Sequence, residues 1–325
     1  MGPILLVGLA SGVASAMLTL SVASGSLLSI ILFLFSALPL LIAAIGWHQL
    51  SALVGAFTAA VLLYALGDLE LARTYVLSIG LPAWWIGYLA LLARPGTEGE
   101  PEGTVHWYPV GRLVLWAAAI GAGLVLLSVV FAGSLDAHRT ILHETFETFL
   151  RQETNTPAGQ PITLPGGGDP DTLINLVVDI LPALVAGMWT AVSLINLWIA
   201  ARIVRTSQRL RRPWPALAEI QLPRFSSLAF VGTVLLSMAP GILGFAGEVI
   251  SSSLLIAFAV LGLAFIHFTT RGTRGRVFVL CATYLLLAVQ TWTVLCLALL
   301  GLAEHAFNLR GRLAKGRPRS PSNRN

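Results

Sequence analysis

Few side chains in this sequence can do chemistry, and those inside apolar runs carry the most information, because keeping them there costs at least a few kcal/mol. Asp179 stands three residues before Pro182 in such a run. A proline there removes a backbone hydrogen bond and frees a carbonyl, and a carboxylate beside such a break suits a substrate or ion path. Trp84–Trp85 follows Pro82 in the middle of another run. An interfacial aromatic belt does not explain a pair at that depth; one ring can face lipid while the other walls a pocket. Asn196 can hydrogen-bond between helices, and His267 closes a run. Asp179, Trp84, Trp85, Asn196 and His267 are therefore the candidate ligand-binding residues. His48, Glu248, Glu304 and His305 fall at the ends of runs, where interfacial water reaches them.

The reaction classes that leave recognisable spacing are missing. No run carries His-x-x-x-His or His-Glu-x-x-His, the ligand spacing of a helical zinc site. Gly8-Leu9-Ala10-Ser11-Gly12 only resembles a nucleophile elbow and has no positioned histidine. Gly166-Gly167-Gly168 lacks the lysine of a phosphate-binding loop. Cys281 and Cys296, 15 residues apart on what reads as one helix, would lie about 22 Å apart, beyond disulfide reach, and are expected to be core thiols. The expectation is a protein that is not an enzyme, with no catalytic residue, metal site or cofactor.

The elements that must position these residues follow from composition. Of 325 residues, 56% are apolar and 11% charged, against about 25% charged in a soluble domain. Such a chain cannot cover itself with polar surface, so a soluble globule and a disordered chain are both excluded. At about 20 apolar residues per crossing, the composition gives about nine helices. The fold class expected is all-α: a polytopic transmembrane helical bundle of about nine (eight to nine) spans, with one amphipathic extramembrane helix. The spans are read at 3–23, 27–46, 50–66, 71–92, 110–131, 173–203, 225–245, 249–268 and 277–303. The first has no basic residue before it, unlike a signal peptide, and is expected to be retained. Residues 1–310 form a single transmembrane domain and 311–325 a basic, disordered tail. Gly8, Gly12 and Ala16 make a small-residue stripe suited to close helix packing within the chain or to a dimer contact.

Residues 134–171 form the largest extramembrane insertion. Leu142, Phe146, Phe149 and Leu150 share one face of its first half, which reads as an amphipathic helix lying on the membrane or on the protein. Asp169-Pro170-Asp171 then suits a helix start, with a side-chain cap, a proline at the first position and negative charge near the N-terminus. Residues 93–110, with Glu98, Glu100 and Glu102, read as a solvated loop. Arginines gather in the connections after the fourth, sixth and eighth spans, among them Arg94, Arg112, Arg205, Arg209, Arg211, Arg212, Arg271 and Arg274. By the positive-inside rule that side is cytoplasmic, as is the N-terminus. Nine crossings then send the basic tail to the opposite side, against the rule. The net charge of +5 reads as a topology signal and not as a nucleic-acid surface.

Several stretches resemble an uncharacterised family of bacterial polytopic membrane proteins of the YybS type, especially its alphaproteobacterial branch. They are LPAWWIGYLALLAR at 81–94, WYPVGR at 107–112, NLWIAARIV at 196–204, RPWP at 212–215, LPR at 222–224, GLAFIH at 262–267, and LGL followed by NLR at 300–310. Where the family pattern has acidic residues in the last motif, this chain has Glu304 and Asn308. The resemblance implies a protein distantly similar to the substrate-binding membrane components of energy-coupling-factor transporters and to the rod-shape envelope family MreD. It carries over no catalytic or binding residue.

Two readings follow. The first is a transporter-like binder or conduit in the bacterial inner membrane, for a small molecule or lipid, with no nucleotide site of its own. The second is a non-transporting scaffold of envelope assembly. The expected partners are membrane lipids, an unidentified small-molecule ligand and a protein docked at the Arg-rich cytoplasmic loops, with no nucleic acid.

Overall fold

The computed structural model describes residues 1–97, 99–101, 103–164 and 167–316. Glu98, Glu102, Gly166 and the expected tail beyond Gly316 lie outside the described residues. The helices are α1 (Gly2–Leu20), α2 (Leu27–Leu34), α3 (Leu38–Gly46), α4 (Gln49–Leu66), α5 (Leu69–Tyr75) and α6 (Leu81–Ala90). A hairpin of β1 (Ala93–Pro95) and β2 (Val105–Trp107) follows. Then come α7 (Val110–Ala132), α8 (Leu135–Glu153), α9 (Pro170–Thr206), α10 (Ser226–Leu236), α11 (Gly241–Thr269), α12 (Arg276–Val289), α13 (Trp292–Phe307) and α14 (Leu309–Gly316). The bundle is all-α, as composition requires. Among the described residues, six helical segments are long and apolar enough to cross a membrane: 2–24, 27–46, 49–66, 110–132, 170–206 and 241–269.

The other three expected spans depart from single straight helices. In the fourth, α5 and α6 are joined by a π-helical turn at Val76–Gly80. Pro82 has no N–H to donate, and the wider turn accommodates it. The seventh is only the 11-residue α10; Pro240–Gly241, with Gly241 at φ +67°, forms the turn, and α11 starts there. The ninth breaks at Gln290, whose backbone is extended, into α12 and α13. Within the connection expected as a loop at 93–110, residues 93–95 and 105–107 form an antiparallel pair, with Ala93 opposite Trp107 and Pro95 opposite Val105.

The chain divides into two compact units, one of residues 1–117, 191–228 and 255–325, the other of residues 118–190 and 229–254. In the first unit the Gly8–Gly12–Ala16 stripe packs within the chain. A Cβ on Gly12 would lie 2.4 Å from the Gly55 carbonyl oxygen, so only glycine lets α1 approach α4 this closely. The break between α2 and α3, ahead of Pro39, is held by side chains. Ser15 Oγ donates to Ser36 O at 2.7 Å and meets the buried Tyr75 hydroxyl at 2.6 Å. The Leu34 carbonyl accepts from Asn196 Nδ2 at 2.8 Å. A carbonyl left over at such a break is costly in lipid unless a neighbouring helix satisfies it.

The first unit also settles the course of its last helices. Arg271, ahead of α12, pairs with Glu219 at 3.5 Å. Arg310, beyond α13, donates to the carbonyls of Ala218 and Ile220 at 2.9 Å each. The arginines flanking the 276–307 stretch therefore both reach the short segment 218–220. A single straight span of that length would part its ends by about 45 Å at 1.5 Å per residue. The ninth span is thus a helical hairpin that leaves and returns at one end of the unit. The conflict over the basic tail disappears, because α14 begins at the same end as the Arg-rich 207–225 connection. Cys281 and Cys296 are correspondingly on separate helices and both exposed, not the core thiols expected.

In the second unit, Ala122, Val125, Val129, Ala186, Phe245 and Val249 form one apolar cluster. Helix α9 starts as its sequence suggests, capped by Asp169, which accepts from Thr172 N and Oγ1. At 37 residues it is about 55 Å long, well beyond the ~30 Å hydrocarbon layer. Its surplus turns carry α8. Leu150 packs with Ile174 and Val178, flanked by Leu142 and Phe146. The amphipathic helix therefore lies on the protein, with Phe149 left 49% exposed.

Candidate functional site

The first unit holds an aromatic wall built on α6. Its small residues Ala83, Gly87 and Ala90 are buried or closely packed, and a Cβ on Gly87 would lie 2.6 Å from Ala44 Cβ. That turns the bulky residues to another face. Trp84 and Trp85 lie 6.0 Å apart by ring centroid, and Tyr88 stands 6.4 Å from Trp84 and 5.8 Å from Trp85. Trp85 meets Trp116 of α7 edge-on at 5.4 Å. Trp116 Nε1 donates to the Tyr108 hydroxyl at 3.0 Å, so the aromatic strip runs continuously from α6 to the base of the hairpin. The Nε1 groups of Trp84 and Trp85 are fully buried and have no acceptor. An indole N–H buried without a partner is costly and uncommon.

The other candidates have separate surroundings. Asn196 is buried, and its Nδ2 bridges to Leu34 O and to its own helix at Val192 O; its Oδ1 is buried without a partner. His267 Nε2 meets the Tyr284 hydroxyl at 3.0 Å. Asp179, expected within the membrane beside a polar cavity, belongs to the second unit. Its side chain is 69% exposed and faces Arg139 of α8 at 3.9 Å. Asp179 lies one residue beyond Val178, on the stretch of α9 that α8 packs against. Of the five candidates, only Trp84 and Trp85 are brought together.

Sequence reasoning missed two buried arginines. Arg310 forms an ion pair with Glu304 at 3.0 Å. Both residues are buried, which corrects the interfacial reading of Glu304. Burial pushes the Arg310 guanidinium down from its ordinary pKa, and the adjacent Glu304 carboxylate pushes it back up. His305 hydrogen-bonds Pro223 O at 3.0 Å, fixing the same connection. Arg212, counted from the sequence among the docking arginines, is 5% exposed. Its Nη1 donates to Ala90 O at 2.9 Å, and its guanidinium carbon lies 5.9 Å from the Trp107 ring and 5.8 Å from Trp214. The RPWP motif at 212–215 carried part of this signal: an arginine among tryptophans is a cation–π arrangement. Arg205, Arg209, Arg211 and Arg224 stay exposed. Among the described residues, no three His, Cys, Asp or Glu side chains gather as a metal-ligand set.

No curated protein and no solved structure matches the chain. A family model described as "Predicted membrane protein (DUF2232)" matches residues 13–304, a stretch that takes in the aromatic wall, both buried arginine connections as far as Glu304, the second half of the first membrane-length segment and the whole of the other five. This multi-pass membrane protein therefore belongs to the DUF2232 family.

Proposed function

We propose that the protein is a transporter-like binder or conduit for a small amphiphile or lipid in the bacterial cytoplasmic membrane, with no nucleotide site of its own. The observation that carries this is the pair of indole N–H groups on Trp84 and Trp85, buried without acceptors inside an aromatic wall. An orphaned donor costs about 1–3 kcal/mol. An ester, hydroxyl or phosphate oxygen of a bound amphiphile removes that cost while its tail lies on the rings. The basic connections of the first unit face the cytoplasm on this reading, and the N-terminus with them. The likeness to YybS-type proteins, and through them to the membrane components of energy-coupling-factor transporters, fits the same reading.

The test is native mass spectrometry of protein extracted with its own lipids. Replacing both rings by Trp84→Phe and Trp85→Phe keeps the aromatic surface but removes the donors, and is expected to lower the amount of retained amphiphile severalfold. Asp179→Asn, at an exposed pair, is expected to leave it unchanged. Equal retention by the double tryptophan variant sinks the proposal.

A scaffold role in envelope assembly is the second reading, favoured by α12. No residue of that helix is buried, and Phe278, Leu285 and Val289 are 78%, 65% and 68% exposed. A photocrosslinker at Phe278 separates the readings: one stoichiometric protein adduct in cells supports the scaffold, and lipid adducts alone count against it.

A further inference from the structure

We infer that Arg212 binds the phosphate of an anionic membrane lipid, forming the headgroup end of the aromatic wall. Arg212 and Arg310 are both buried, and a guanidinium stays protonated at any physiological pH. Buried charges are paired or they are expensive. Arg310 has Glu304. Arg212 has one carbonyl and two tryptophan faces, and its Nε is buried with no acceptor at all.

Among the described residues, no carboxylate pairs with it. Among the described residues, Glu219 is taken by Arg271, Glu304 by Arg310, Glu100 by His106 and Glu70 by Arg73. Burial lowers the Arg212 pKa, and no neighbouring anion opposes the shift. The guanidinium is thus open to an anion from outside the protein.

Its surroundings say what kind of anion. The 207–225 connection is wedged against the start of α7, where a Cβ on Gly111 would lie 1.8 Å from Gln221 O. Trp107, Tyr108 and Trp214 stand where apolar helices meet polar connections, the usual place of an interfacial belt. Arg112, exposed, stacks over Tyr108 at 6.0 Å and adds a second cation. From Tyr108 the aromatic strip continues through Trp116 to Trp85. A ligand that satisfies both ends carries a phosphate and a long apolar tail; a guanidinium fork is suited to the former. The tail's position rests on the proposed amphiphile-binding wall, whereas the phosphate contact rests on Arg212 alone.

The test uses the full chain in nanodiscs of phosphatidylcholine with or without phosphatidylglycerol. Thermal shift and native mass spectrometry read the preference for the anionic lipid. Wild-type protein is expected to be stabilised by phosphatidylglycerol and to retain it at least tenfold over phosphatidylcholine. Arg212→Gln is expected to lose that preference while matching the wild type in pure phosphatidylcholine, and Arg212→Lys to keep part of it. Inorganic phosphate alone is expected to have no effect. An unchanged preference in Arg212→Gln overturns the inference. So does equal stabilisation by inorganic phosphate, which makes the site one for a soluble anion. Should Arg212→Gln fail to fold, the wild-type ratio decides: no preference for the anionic headgroup overturns the inference. The ratio of the two lipids reads Arg212, while the total retained reads the Trp84–Trp85 wall, so the two proposals fail separately.

Discussion

Glu304 and Arg310 show how much a single buried pair holds in this protein. The guanidinium bonds the carboxylate, the carbonyls of Ala218 and Ile220, and Leu261 O. It thus ties α13, α14, α11 and the 207–225 connection at one point. Both side chains are about nine-tenths buried, at 9% and 10% exposed. Removing one partner of such a pair leaves an uncompensated charge and costs about 3–5 kcal/mol, whereas replacing both with apolar residues is far milder. Glu304→Leu is therefore expected to lower the unfolding free energy by about that amount, and Glu304→Leu with Arg310→Met to regain part of it. Unfolding of the purified variants in detergent checks this, and a double variant no more stable than Glu304→Leu refutes it. The pair was not legible in the sequence. Glu304 ends an apolar run, like many solvated glutamates, and its partner lies past a backbone reversal at Asn308, φ +48°, which breaks the helical spacing that would have linked them. Asp179 was hard to place for another reason: the continuous apolar run did not show that α8 would bring Arg139 beside it.

At the scale of elements, α8 was the most legible. Its apolar positions and its place on the insertion follow from spacing, and the structure adds the Ser134 cap. The run could not say what the face would cover, because α9 supplies that surface from its own surplus turns. The breaks at Val76–Gly80 and Gln290 were hidden for another reason: hydropathy stays high across both. Helix α8 also carries a titratable contact. His138 Nε2 meets Ser128 Oγ at 3.0 Å while Ser128 donates to Val125 O, which assigns the ring proton to Nε2. Nδ1 is buried without a partner, and the ring lies edge-on to Phe245 at 5.9 Å. Burial pushes the imidazole below its ordinary 6.5. The unfolded ring takes up a proton near 6.5 that the folded ring refuses, so the unfolded state binds more protons in the interval below 6.5. Stability is then complete above pH 6.5 and declines as pH falls from there toward the lowered folded value. Melting temperatures of the wild type are expected to drop across that interval more steeply than those of His138→Gln. Parallel curves would exclude His138 as the cause.

At the scale of the molecule, hydropathy gave the class and eight to nine spans, and the arginines bear on which of the two counts holds. Three basic connections agreed on a side and the tail disagreed with them. Such a disagreement means either that the rule is broken or that a run does not cross. The paired contacts of Arg271 and Arg310 with residues 218–220 favour the second, since α12 and α13, of 14 and 16 residues, are each about 21–24 Å long and short of the ~30 Å layer. With Cys281 and Cys296 first replaced by serine, single cysteines can be placed at Arg274 and Leu313. Arg274 is exposed and Leu313 is 50% exposed. A membrane-impermeant maleimide is expected to label both from the same face of sealed, oriented vesicles, and neither from the other. Labelling from opposite faces would restore a ninth crossing, and would mean that the shared contacts at 218–220 do not form in the membrane.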